Sequence, residues 1–227
     1  MGVARKSVLA GVLLIGALGA AHAGTVTASL DIISTPKIGS GVLGTVTLTQ
    51  NGSDEVDIAV LLAAETDFVS TGRPHHAFVF NLDLTTPYTV AITSPTGGIF
   101  TLAGANPENT PYGTFSNGIN CPGCGPGASH ANPGPLDLAV TDSSGISIAD
   151  FIPNCDGYYF SADVIGPAGG TGDIATRSLS TDKESVPEPS VLVLLGVGLA
   201  GLAAARRRPE ATSPTLLPAG RAARFVA

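Results

Sequence analysis

Between Gly24 and Leu179, apolar and polar residues alternate with period two in short runs, and no stretch carries a helical stripe. The runs are Val26 to Ile33, Val46 to Thr49, Val56 to Leu62, Phe78 to Leu84, Thr89 to Thr93, Ile99 to Leu102, Leu136 to Thr141, Ile146 to Phe151, Tyr158 to Ile165 and a weaker one from Ile174 to Leu179. Clusters of Gly, Pro, Asn and Asp separate them. Alternation sends successive side chains to opposite sheet faces, so the pattern predicts an all-β domain: an antiparallel β-sandwich, jelly-roll-like or Ig-like. Asn51-Gly52 predicts a type I′ hairpin turn joining Val46–Leu48 to Val56–Ile58, because that turn needs positive φ at both central residues. Phe78, Phe80, Leu82 and Leu84 are expected to face Leu136, Leu138 and Val140 across one core.

The two ends follow another pattern. Arg5 and Lys6 precede an apolar run from Val8 to Ala21, closed by Ala21-His22-Ala23, which reads as a secretory signal peptide with an A-x-A cleavage site for signal peptidase. At the far end, Val186-Pro187-Glu188-Pro189 leads into the apolar run Val191 to Ala205 and then Arg206-Arg207-Arg208. That run predicts a single hydrophobic helix about 22 Å long at ~1.5 Å per residue, which spans a bilayer marginally once Pro189, Ser190 and snorkelling arginines are included. Arg206, Arg207 and Arg208 would hold their end in the cytoplasm, leaving the preceding domain outside the inner membrane.

The ordered Pro-Glu-Pro triplet, short Gly/Ala/Leu helix and terminal arginines resemble the PEP-CTERM sorting tail of Gram-negative bacteria. The resemblance implies recognition by exosortase, a membrane enzyme that cleaves near the triplet, and association with exopolysaccharide and biofilm. Such tails usually stop after the arginines, whereas this chain continues from Pro209 to Ala227. The expected organisation is therefore a signal peptide (1–23), an exported domain (24–185), a sorting tail with a transmembrane helix (186–208) and a cytoplasmic extension (209–227). Within the exported domain, Gly44-Thr45-Val46-Thr47-Leu48, His75-His76-Ala77-Phe78 with Asn81-Leu82, Cys121-x-x-Cys124-Gly125, Gly134-Pro135-Leu136 and Gly157-Tyr158-Tyr159-Phe160 are similar to a group of uncharacterised short PEP-CTERM proteins. That likeness implies no activity.

Charge sharpens the division. From Gly24 to Glu188 the basic residues are Lys37, Arg73, Arg177 and Lys183 against 17 acidic ones, a net of about −13, and every other basic residue lies in the two ends. An exported domain so acidic is not expected to bind nucleic acid. Gly 29 and Pro 17 together make about a fifth of the 227 residues, and they concentrate between Ala103 and Pro135. A structureless loop of that length is uncommon unless it is functional or clipped.

The candidate clip is cysteine. Cys121, Cys124 and Cys155 fold in a compartment that permits disulfides, and the sequence leaves the pairing open between Cys121–Cys124 and a bond from either to Cys155. A redox C-x-x-C wants a helix start, absent here, and a zinc site from the three cysteines and His130 matches no strong spacing. His75 and His76, adjacent on a strand, would point to opposite faces and not chelate one ion. Asp54, Glu55 and Asp57 crowd one turn without any calcium-loop spacing. No G-x-S-x-G, H-E-x-x-H or S-x-x-K occurs, and there is no Trp to form a sugar platform. The expectation is therefore no catalytic residue, no metal and no cofactor. The leading reading is an exported, non-enzymatic cell-surface or extracellular-matrix protein, transiently anchored in the inner membrane; the alternative is a glycan- or cation-binding module of the envelope with its site in the Gly/Pro-rich segment.

Overall fold

The computed structural model describes residues 24–95 and 97–181, and the signal peptide, sorting tail, predicted terminal helix and extension lie outside them. The strands are β1 Thr25–Ser29, β2 Ile32–Ile33, β3 Gly44–Gln50, β4 Glu55–Leu62, β5 Asp67–Phe68, β6 Phe78–Phe80, β7 Thr89–Ser94, β8 Thr101–Leu102, β9 Glu108–Asn109, β10 Gly113–Thr114, β11 Asn117–Asn120, β12 Leu136–Thr141, β13 Phe160–Ile165, β14 Thr171–Thr176 and β15 Ser180–Thr181. Helical structure among the described residues amounts to two three-residue 3₁₀ turns. Every pairing is antiparallel. One sheet runs β15-β1-β3-β4-β12-β7, the other β2-β14-β13-β6-β11-β8 with β5 also on β13, and β9 and β10 form a separate ribbon.

The two sheets share one hydrophobic core. Val46, Leu48, Val56, Ile58, Val60, Leu136, Leu138 and Val140 of the first sheet lie in the same buried cluster as Phe78, Phe80, Phe160, Ala162, Val164 and Ile174 of the second. Leu82 and Leu84 pack against it half-buried, so the expected facing rows do meet. Phenylalanine supplies the bulk: Phe78 stacks on Phe160 with ring centroids 5.8 Å apart, and Phe80 on Phe151 at 6.0 Å. Filling the middle with rings lets a chain without Trp close a core from few residues.

Local departures from the expected pattern have physical causes. The run Val26 to Ile33 is two strands in different sheets: Leu30 exchanges backbone hydrogen bonds with Gly44 and Leu43, after which the chain crosses over and Ile33 pairs with Ile174. The Asn51-Gly52 hairpin forms between β3 and β4, yet Gln50 pairs with Val56, so the loop is longer than two residues and only Gly52 has positive φ, at 79°. The Gln50 side chain occupies that loop, donating to the carbonyls of Gly52, Glu55 and Ile146. Ile146 to Phe151 is not a strand: Ser147 caps a 3₁₀ turn over Ile148–Asp150, its N–H donating to Asp150 Oδ2 at 2.7 Å, while Ile146 and Phe151 still reach the core.

The Gly/Pro-rich segment is ordered, holding β9, β10 and β11, and it changes the sheet beneath it. Tyr112 and Phe115 form a second cluster with Val79 and Ala175, on the face of the second sheet turned away from the main core. In consequence every residue of β13 is buried, including Ser161 and Asp163 on the row that alternation alone would leave to solvent.

Candidate functional site

The chemistry of the described residues concentrates under that covering segment. Asp163 of β13 and Asp173 of β14 are directly opposed partners in an antiparallel pair, and both are fully buried. Two carboxyl groups this close repel when both are charged, and burial penalises each charge further. Burial, and then Asp163, push the Asp173 carboxyl up to about 9. Burial also raises Asp163, opposed by hydrogen bonds from Thr71 and by His75 and His76.

The loop before β6 brings the partners. Thr71 donates twice to Asp163 Oδ2, from its backbone N–H at 2.9 Å and from its hydroxyl at 2.6 Å. His75 Nδ1 lies 2.7 Å from Asp173 Oδ2, with the imidazole about a quarter exposed. His76 turns elsewhere, its Nδ1 2.7 Å from Asn120 Oδ1, and both histidines lie in the loop before β6 and not on the strand the sequence suggested. Asn109 from the covering segment locks the loop: its Oδ1 accepts from His76 N–H at 2.6 Å, and its Nδ2 donates to His76 O at 3.1 Å and Ser161 Oγ at 3.3 Å. Tyr112 donates to the carbonyls of Ile32 and Asp173, and its own ionisation is pushed upward by burial, then by Asp173 and Tyr158.

Two oxygens are left over. Asp163 Oδ1 and Asp173 Oδ1 are buried without a hydrogen-bond partner. One ligand atom each from His75, Asp163 and Asp173 lie within 4.8 Å of one another, an arrangement of one imidazole nitrogen and two carboxylate oxygens that can hold a cation.

The residues singled out in the sequence fall in other places. Cys121 and Cys124 are joined by a disulfide, and Cys155 is free and exposed. The bond removes two thiolates from the cysteine zinc set weighed above, and His130 is exposed on its own 3₁₀ turn. Asp54, Glu55 and Asp57 sit at the turn end of the β3–β4 hairpin, and the Asp57 carboxyl is raised by burial and then by Glu55 and Asp137. Of the tyrosines, Tyr112 is buried against Tyr158, which carries Arg177 over its ring at 4.3 Å, and Tyr88 lines a cleft of about 290 Å³ with Leu102 and Asn117. Val186, Pro187, Glu188, Pro189, Arg206, Arg207 and Arg208 lie outside the described residues.

Asp163, Asp173 and Thr71 escape a reading by alternation, because each aspartate occupies a row expected to be wet. A signal did exist: each is the lone charged residue of its strand, in Ala162-Asp163-Val164 and Gly172-Asp173-Ile174. Comparison with known proteins finds the PEP-CTERM protein-sorting motif at residues 185–208. No curated protein and no solved structure matches the chain.

Proposed function

We propose that this chain, which carries a PEP-CTERM protein-sorting motif at residues 185–208, is exported, held by a C-terminal membrane anchor until exosortase processes it, and serves as a non-enzymatic component of the cell surface or extracellular matrix, associated with exopolysaccharide and biofilm. The sorting motif is the observation that carries this reading. Support comes from the domain it follows: strongly acidic, all-β and carrying a disulfide, a bond suited to an oxidising exterior. In this account signal peptidase removes residues 1–23. The tail then keeps the domain outside the inner membrane, with Arg206 to Arg208 on the cytoplasmic side. Exosortase is the enzyme in this process and the protein its substrate, with Pro187, Glu188 and Pro189 as the recognised triplet.

The test is a replacement of Pro187, Glu188 and Pro189 by alanine in a host that carries exosortase. The expected outcome is an uncleaved form that stays with the membrane fraction while the parent is released. Release of the altered protein at the parental rate overturns the reading.

A further inference from the structure

We propose that His75, Asp163 and Asp173 form a binding site for one divalent cation of the zinc class, built into the covered face of the second sheet. The proposal stands independently of sorting and begins from the two orphaned oxygens. A buried polar atom without a partner is costly, more so if charged, and folded proteins rarely leave one unanswered. Here two such atoms belong to carboxyl groups that face each other across one strand pair.

A shared proton is the first alternative, and the geometry argues against it. Carboxyl groups that share a proton hydrogen-bond to each other, with oxygens about 2.5–2.7 Å apart. In this fold Thr71 holds Asp163 through Oδ2 and His75 meets Asp173 through Oδ2, while both Oδ1 atoms remain without any partner. Thr71 thus holds Asp163 by one oxygen and leaves the other on offer, the arrangement by which an outer hydrogen bond orients a metal ligand, while Asp173 offers its own free Oδ1 beside His75.

The donor set selects the ion. Calcium takes six to eight oxygens, and two carboxylates with an imidazole fall well short. No thiolate is at hand, since Cys121 and Cys124 are bonded to each other and the free Cys155 is not among the grouped donors. One imidazole nitrogen and two carboxylate oxygens suit zinc and its neighbours, with the fourth tetrahedral position open to water. Bonds of about 2.0–2.1 Å put tetrahedral donors roughly 3.3 Å apart, so donors now within 4.8 Å need only modest side-chain rotation to close on an ion. The partly exposed imidazole of His75 supplies the access route, and binding displaces the hydrogen between His75 Nδ1 and Asp173 Oδ2 to solvent.

The experiment uses the full chain, exported, purified in detergent without a polyhistidine tag, and carrying Cys155→Ser so that the exposed thiol adds no ligand. After chelator treatment, equilibrium dialysis against zinc should recover about one ion per chain, and zinc should raise the thermal midpoint by about 5 °C, with calcium and magnesium leaving it unmoved. His75→Gln, a change at a partly exposed position, should weaken binding at least tenfold. Asp173→Asn should abolish it while leaving the metal-free protein folded with a cooperative transition, because it is a change of equal shape that adds no charge to the buried site. No zinc on the parent, binding unaffected in either variant, or a midpoint that responds to calcium instead overturns the proposal.

Discussion

Asp142 is buried at the turn after β12, and the fold answers it fully. Thr86 Oγ1 donates to its Oδ2, and Ser144 N–H donates to its Oδ1 at 2.7 Å. These bonds favour the ionised form and hold its carboxyl below the ordinary 3.8, burial opposing them. A depressed carboxyl contributes stability above its unfolded pKa and loses it as pH falls through the folded one. Thr86→Val should therefore lower the thermal midpoint at pH 7, and the gap from the parent should narrow as pH falls below about 3.8. A gap that does not depend on pH would show that Thr86 acts through packing. At this scale the sequence is legible where the partner is local. Asp142-Ser143-Ser144-Gly145 announces a turn, whereas the meeting of Asp163, Asp173 and His75 depends on residues about a hundred positions apart and on a roof over the sheet.

At the level of elements, β3, β4, β7 and β12 follow the alternation closely because one face of their sheet is core and the other solvent. The second sheet is covered on both faces, and there alternation stops reporting exposure. Glycine and proline between Ala103 and Pro135 suggest looseness, yet they serve close packing: a Cβ on Gly118 would come within 2.6 Å of the Pro107 side chain. The segment is pinned at Asn109, fully buried, with three hydrogen bonds to His76 and Ser161. Asn109→Ala leaves the His76 N–H and C=O without those partners and should cost about 2–3 kcal/mol in urea unfolding. A loss below about 0.5 kcal/mol would mean that water or a shifted loop replaces the amide.

For the molecule as a whole, three cysteines and an oxidising destination imply a bond and a remainder, but the sequence could not choose the pair. The fold chooses through a turn: Cys124 N–H donates to Cys121 O at 2.9 Å, bringing their Cα atoms to 5.2 Å, within bridging reach, while Cys155 is exposed. The bond therefore staples a tight turn at the edge of the core, not the long covering segment to the strands that follow it. So short a closed loop stabilises by only about 2 kcal/mol in the chain-entropy account, while the phenylalanine core shared by the two sheets does not depend on it. Labelling without reductant should mark one thiol per chain, at Cys155, in native and denatured protein alike, and reduction should expose all three. Reduced protein should keep its strand-rich far-UV spectrum and unfold cooperatively at a lower midpoint. Three thiols in unreduced protein, or a linked peptide containing Cys155, would mean that the pairing is wrong; loss of cooperative unfolding on reduction would mean that the staple supports the core and not merely the turn.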